Sequence, residues 1–478
     1  MSKKKTAAVL ESGFFKPPID AAYLTQPAHL QRRVDRYEAG RALRSKCPRE
    51  WHADYVKPRE ERQDPVQILI DSGVGRIEAL LPIRYGRMLT SPFAFFRGGA
   101  SIMASDLSQT PSTGYAVQSC GDCHLMNFGA FATPERNIVF DINDFDETFP
   151  APWEWDLKRL AASFVIASRN NGHKPADCRA AAARVVEAYR DRMKDLADMR
   201  AVEAWYSYLD YEKLIELTED AQLKKRRKKV LKKAMERDHS QEFIKLAHVV
   251  DGVPRIKDNP PLVFHPEDRN QPEFAAKIEH ARLNYRESLR PEIRVLFDRY
   301  EYADSAIKVV GVGSVGTYCA IGLFFAAEDD PLFLQLKEAR QSVLEPYVDV
   351  PPFASHGERV VFGQRLMQAA SDIFLGHYVG MDGGQYYVRQ LRDVKVKPLV
   401  EIFSPANMLG FARNCGWALA KAHARSGDPA IIAGYIGKGT VFADAVATFA
   451  ETYADQNERD HAGLIEAIRE GRIDAYTE

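Results

Sequence analysis

The chain has 478 residues, of which 45% are hydrophobic and 27% charged, with a formal net charge of −1. That is too long for one ordinary core and suits two lobes; the composition is that of a globular protein, not a disordered or fibrous one. The near-neutral balance gives no overall pull toward nucleic acid or an anionic membrane, and no apolar run is long enough to span a bilayer. Met1 to Lys5 is basic but has no apolar stretch behind it, and the six cysteines are too scattered for a disulfide framework, so the expected location is the cytosol.

Taken in chain order, residues 1–60 are charged and dotted with proline, and read as an irregular arm on the body. A helix is expected from Asp64-Pro65, with the aspartate as cap and the proline in the first turn. Phe95-Phe96-Arg97-Gly98-Gly99 reads as a loop and Tyr115 to Gln118 as a strand. Trp155 opens a helix, and a second long helix follows Pro175, with Val185, Val186, Tyr189, Met193 and Leu196 at helical spacing. The basic run Lys224 to Lys233 reads as the solvated face of a helix whose apolar side carries Leu223, Val230 and Leu231. The texture changes after residue 300. Three strands, Ala306–Val312, Thr317–Phe325 and Leu332–Lys337, precede a helix from about Gly357 and a hairpin closed by Met381-Asp382-Gly383-Gly384. Asn407 to Arg425 is helical, and an amphipathic helix pair follows Thr440.

The chemistry concentrates in two short segments, Gly121-Asp122-Cys123-His124-Leu125-Met126-Asn127 and Ile142-Asn143-Asp144-Phe145-Asp146-Glu147. A carboxylate, an amide five positions later and a further carboxylate after a short apolar strand are hard oxygen ligands. They suit magnesium held against nucleotide phosphates, with the first aspartate facing an attacking hydroxyl. A phosphate clamp lies far downstream. Gly311-Val312-Gly313-Ser314-Val315-Gly316 is a glycine-rich loop, and Lys337 sits on the third strand of the same segment. Lys337 needs a carboxylate partner. Glu358, at the start of the following helix, is taken for it ahead of Glu338 and Glu345. Arg97, Arg389 and Arg392 hint at an anionic group near the cleft.

Other readings compete for the same residues. Cys120-Gly121-Asp122-Cys123-His124 fits the haem-attachment pattern, but no export signal accompanies it. The Cys120 and Cys123 pair lacks further ligands for zinc. The glycine loop also fits a dinucleotide-binding turn, which needs a helix next; the aromatic and branched residues from Thr317 to Phe325 argue for a strand instead.

The segment Gly121 to Asn127 is similar to the Gly-Asp-x-His-x-x-Asn loop of aminoglycoside and choline phosphotransferase-like kinases. Ile142 to Glu147 and Trp155-Asp156-Leu157 resemble the metal-binding and later Asp-Leu motifs of those enzymes. The helix Cys415 to His423 resembles the one that in those enzymes leads directly into the catalytic loop. From about residue 60 the chain also resembles a bacterial family known as domain of unknown function 2252. That match rests on Phe95 to Gly98, the Asp122 loop, Lys308 to Thr317 and Gly363 to Gln368.

The resemblance implies an α+β, two-lobed, protein-kinase-like fold that is circularly permuted, because the carboxylate half precedes the phosphate-clamping half. The expected parts are an arm (1–60), the first part of a mostly helical large lobe (61–300), a small antiparallel-sheet lobe (301–400) and the C-terminal helices of the large lobe (401–478). The expected activity is ATP-dependent, magnesium-assisted phosphoryl transfer to a small-molecule hydroxyl. Asp122, His124 and Asp156 are its catalytic residues. Asn127, Asp144 and Asp146 hold the metal, and Gly311, Gly313, Ser314, Gly316, Lys337 and Glu358 hold the nucleotide. A nucleotide-binding module without turnover and a transferase of AMP are the alternatives, with a dinucleotide-binding protein more remote.

Overall fold

The computed structural model describes residues 30–476 apart from 56–61, 219, 236–242, 244, 310, 312, 314, 328–329 and 392–394. It is a mixed α and β structure in which every strand pairing among these residues is antiparallel.

The helical body is organised around Trp153–Asn170, which is buried on all sides from Trp153 to Ser168. It is the central helix of the body, and its charged residues Glu154, Asp156, Lys158 and Arg159 are buried with it. It packs on Pro175–Asp198 and on the long helix Val441–Arg469, and Pro405–His423 runs against Pro175–Asp198. The last two approach closely at Gly416, where a Cβ would lie 2.2 Å from the Val185 carbonyl oxygen. No side chain fits there.

A hairpin pairs two short strands, Phe128–Ala132 and Ile138–Ile142, each buried along its whole length. It is flanked by Lys395–Val396 on one side and Leu209–Asp210 on the other. The hairpin is tied to the helix Pro405–His423 by an ion pair between Asp141 and Lys421 at 2.6 Å, both 1% exposed.

The larger sheet has six strands in the order Gly376–Val379, Gln385–Gln390, Pro331–Glu338, Cys319–Phe325, Glu301–Lys308 and Val263–Phe264. Side chains alternate between its faces. Leu332, Leu334, Phe324 and Val388 pack on Tyr285, Leu289, Ile293 and Phe297 from the helices Pro272–Ser288 and Pro291–Phe297. Phe333, Gln335 and Lys337 face the other way. At the apolar end of that second face, Ile321, Leu323, Phe333 and Leu391 are covered by Ala247 and Ile256 of the hairpin Ala247–Val250 and Val253–Ile256.

Several expectations change. The described part of the N-terminal arm is ordered into the helix Arg33–Ala42, which packs on Pro429–Ile436. Phe95 to Gly99 is not a loop but most of a helix, Pro92–Gly98. Its start is a Ser91 cap on Ala94 N–H with proline in the first turn, a signal that the aromatic run obscured. The segment after Thr440 is one helix, Val441–Arg469, not a pair. The larger sheet takes in residues ahead of 301, since Val263–Phe264 pairs with Glu301–Lys308. The glycine loop is followed by the strand Cys319–Phe325, antiparallel to the one before it, which removes the dinucleotide-fold alternative. The basic run lies on Ala221–Met235, with Leu223 and Leu231 buried, Val230 exposed and Lys224 and Lys228 paired with Glu216. No single helix among the described residues is long and apolar enough to cross a membrane.

Candidate functional site

The two carboxylate segments meet because they occupy the same end of one hairpin. Asn127 precedes the first strand, Asn143 and Asp144 follow the second, and the Asn143 N–H donates to the Asn127 carbonyl at 2.8 Å. The segments therefore converge as a direct consequence of antiparallel pairing.

The Asp122 turn is held from below by Asp156. Its two carboxylate oxygens accept from the Cys120 N–H at 2.7 Å and the Gly121 N–H at 3.0 Å. His423 Nε2 donates to the same carboxylate at 3.2 Å while its Nδ1 accepts from the Tyr189 hydroxyl at 2.9 Å. Asp156 is 1% exposed and so braces the turn without reaching solvent. Gly121 has φ +79°, and a Cβ there would lie 2.3 Å from the Glu147 carbonyl oxygen. The turn thus needs glycine both for its backbone conformation and for room.

Asp122 is partly open to the cleft, and its Oδ1 is gripped by Arg159 through Nε at 2.9 Å and through Nη2. The Asn127 side-chain N–H donates to the Asp122 carbonyl at 2.7 Å, which turns the amide oxygen away from that bond. His124 Nε2 lies 3.7 Å from Asp122 Oδ2. His124 is only 3% exposed, and burial lowers its pKa to about 3, so it is a neutral packing partner of Asp122 at pH 7.

Asp144 and Asp146 differ in environment. Asp144 Oδ1 is buried with no hydrogen-bond partner. Burial, and then the Asp146 charge, push its pKa above the usual carboxylate range. Asp146 accepts from the Lys337 ammonium at one oxygen and from the Tyr387 hydroxyl at the other. Burial works against its charge, but Lys337 and Tyr387 outweigh it and hold the pKa down.

Lys337 therefore pairs with Asp146 and not with Glu358. Asp146, expected as a metal ligand, has both carboxylate oxygens engaged within the protein. The helix His356–Met367 turns a different residue inward: Arg359, 1% exposed, donates to the carbonyls of Asp146, Thr148 and Arg340. Glu358, one position earlier and about 100° round the helix, lies where its charge acts on His377.

A cleft of about 520 Å³ is bordered by Asp122, His124, Asn127, Asp144, Asp146 and Tyr387 on one side and by Gly311, Gly313 and Thr317 on another. The glycine loop is fastened to the helical body. Arg76 donates to the Gly313 and Val315 carbonyls at 2.8 and 2.7 Å, Arg87 to Gly311 at 2.6 Å, and the Ile77 N–H to Gly316 at 2.7 Å. Gly316 thus faces Arg76 and Ile77, and Ser314 lies outside the described residues. No sequence signal pointed to Arg159, Arg76 or Arg87 as supports, because each acts across a long stretch of chain.

Cys120, Cys123 and Asp156 cluster closely enough to resemble a metal site. Both thiols are buried, and burial pushes Cys123 up to about 11 and Cys120 well above the usual thiol range. The Asp156 carboxylate of this cluster is already engaged by the Cys120 and Gly121 N–H groups and by His423.

Residues 76–467 match the family described as an uncharacterized protein conserved in bacteria (DUF2252). The chain belongs to the DUF2252 family. The match covers both carboxylate segments, the glycine loop and Lys337, and so most of the cleft lining, apart from Gln63, Ile68, Asp71 and Ser72. No curated protein and no solved structure matches the chain.

Proposed function

We propose that this DUF2252 protein is a circularly permuted, two-lobed kinase-like phosphotransferase that moves the γ-phosphoryl group of ATP to a hydroxyl of a small molecule. The observation that carries the reading is the bond between Lys337 and Asp146. It joins the sheet bearing the glycine loop to the hairpin bearing Asp122, Asn127 and Asp144, so that a phosphate clamp and hard oxygen ligands border one cleft. Strand, glycine loop, strand, lysine-bearing strand, helix and two strands follow in the order of a kinase small lobe.

Magnesium suits the donor set. Asp144 offers a buried oxygen that no protein group satisfies, and Asn127 keeps its amide oxygen free of the bond to Asp122. The metal, when bound by Asn127 and Asp144, supplies positive charge against the phosphate oxygens. The rest is done by the chain. Gly311 and Gly313 bring backbone close to the phosphates. Lys337, held by Asp146 and Tyr387, is a fixed cation beside them. Asp122 receives the acceptor hydroxyl. Because Arg159 grips one of its oxygens, its main contribution is to orient that hydroxyl, with the remaining oxygen available to take the proton. Asp156 and His423 hold the turn in place.

That same grip on Asp122 favours one second reading, a module that binds nucleotide without turnover. Incubation with magnesium and ATP labelled at the γ-phosphate, in the presence of a cell extract, separates the two. Transfer of label to a small molecule supports the phosphotransferase. Binding of ATP with no transfer in any extract supports the second reading.

A further inference from the structure

The arginines around the cleft differ in one respect. Arg76 donates to carbonyls of Ser72, Gly313 and Val315, and Arg84 donates to the Leu69 carbonyl and the Ser72 hydroxyl. Arg159 holds Asp122 and the Phe96 carbonyl, Arg340 holds the Val74 carbonyl, and Arg389 donates to Gln335 Oε1. All of these are engaged in building the walls. Arg97 is not. Its Nε is buried with no hydrogen-bond partner, and among the described residues no carboxylate is within ion-pair distance of its guanidinium.

Its place is fixed by rigid neighbours. Arg97 is near the end of the helix Pro92–Gly98, and its own carbonyl lies 3.4 Å from where a Cβ on Gly313 would sit. It lines the cleft together with Asp122, Asn127 and Asp144. Burial is the largest influence on its charge, and the charges of Asp122, Glu401 and Asp144 act on it against that. A half-buried cation without a partner costs stability, and an apolar side chain would avoid that cost. What satisfies a planar guanidinium fork at such a point is an oxyanion presenting two oxygens.

We propose that Arg97 is an oxyanion-binding residue of this cleft, with a tetrahedral phosphate group as its ligand. The identity of that ligand rests on the phosphotransferase reading above; the binding itself does not require turnover. Two sources share the chemistry, the phosphoryl group being transferred and a phosphate already carried by the acceptor.

The test is calorimetric titration of the full chain with inorganic phosphate and with pyrophosphate, alone and with a saturating non-hydrolysable ATP analogue. Wild type, Arg97→Gln and Arg97→Lys are compared, with the thermal unfolding midpoint measured for each. The expected result is that wild type binds the anions at millimolar concentration or below. Arg97→Gln should weaken binding at least about tenfold, or ~1.4 kcal/mol, with an unfolding midpoint that is unchanged or higher. Arg97→Lys, which keeps the charge but loses the fork, should fall between. Phosphate that still binds alongside the analogue identifies the acceptor as its source. Phosphate displaced by the analogue identifies the transferred group.

Equal binding by wild type and Arg97→Gln overturns the proposal. So does absence of binding in wild type, or loss of binding in both variants with a lowered midpoint, which makes Arg97 structural. The two readings fail separately. If the ATP analogue does not bind but phosphate binding depends on Arg97, the nucleotide reading falls and this one stands. If the analogue binds but phosphate ignores Arg97, the reverse holds.

Discussion

Asp122 and Asp144 sit in one cleft but under opposite constraints. Asp122 is gripped by Arg159, whereas Asp144 keeps an unsatisfied buried oxygen beside a second carboxylate. Replacing Asp122 by Asn should leave ATP affinity nearly intact and lower transfer by about a hundredfold, the usual size of a proton-transfer contribution. Separate measurement of nucleotide binding and single-turnover rate checks this. Collapse of ATP affinity with transfer intact would show that Asp122 serves the nucleotide. His124 gives a pH prediction. Its folded pKa of about 3 lies below the unfolded value near 6.5, so the unfolded chain binds the proton more readily between them. The stability of the neutral, buried form is complete above about pH 6.5 and is lost as pH falls, by up to about 1.4 kcal/mol per unit. A folded His124→Asn variant should therefore show a flatter fall in unfolding free energy from pH 6.5 to 4 than wild type; identical slopes would contradict it. At this scale the sequence was legible where the cleft residues are local. Asp122, Asn127, Asp144 and Asp156 lie in short segments that one hairpin and one helix start bring together. The partner of Lys337 was not legible, because it depends on which face of His356–Met367 turns inward, and a one-residue difference puts Arg359 there instead of Glu358.

Elements far apart in sequence are joined by buried polar ties. Lys421 reaches Asp141 from the helix Pro405–His423, and Asp141 also accepts from the Ala369 N–H at 2.8 Å. Lys421→Met strands a carboxylate in the core and should cost about 3–5 kcal/mol of unfolding free energy. Pairing it with Asp141→Leu should recover part of that loss, and a denaturant double-mutant cycle measures the coupling. Additive losses would mean the tie carries no energy. The hairpin from Ala247 to Ile256 has a functional consequence on the proposed reading. It covers Ile321, Leu323, Phe333 and Leu391, the apolar part of the sheet face that also carries Lys337. On that reading, a nucleotide with its phosphates at Lys337 would direct its base along that face. Asp304, 4% exposed, anchors the hairpin by accepting from the Ile256 N–H at 2.8 Å. Asp304→Ala should loosen this cover and tighten ATP binding relative to inorganic triphosphate, measured side by side by calorimetry. Equal changes for both ligands would exclude a role for the hairpin at the base. Element order was largely readable from periodicity and caps, as at Asp64-Pro65 and Pro175. The hairpin and the Val263–Phe264 strand were not, because strands that short carry little periodic signal and are fixed by what they pack on.

At the scale of the whole molecule, the glycine loop comes late in the chain and the carboxylates early, yet they line one cleft, and the buried Lys337 joins its wall through Asp146. The joins are specific: Lys337 to Asp146, Arg359 to the carbonyls of Asp146 and Thr148, and Arg76 and Arg87 to the glycine loop. Chain order does not matter to a site built this way, provided that each element keeps its neighbours. On the proposed reading, that is why a permuted order would be compatible with phosphoryl transfer. The carboxylate segments and the glycine loop were visible in the sequence as lying in separate halves. The sequence did not reveal the arginines that fasten the halves together, since their partners are backbone carbonyls, which leave no mark on residue identity. The most direct measurement is to follow ATP labelled separately at the α- and γ-phosphates, with magnesium and a cell extract, and to identify labelled products by mass spectrometry for wild type and Asp144→Asn. The expected result is γ-label on a small molecule with wild type, and none with the folded variant. Label from the α-phosphate would show transfer of AMP instead, and γ-transfer by Asp144→Asn at the wild-type rate would contradict the site as drawn.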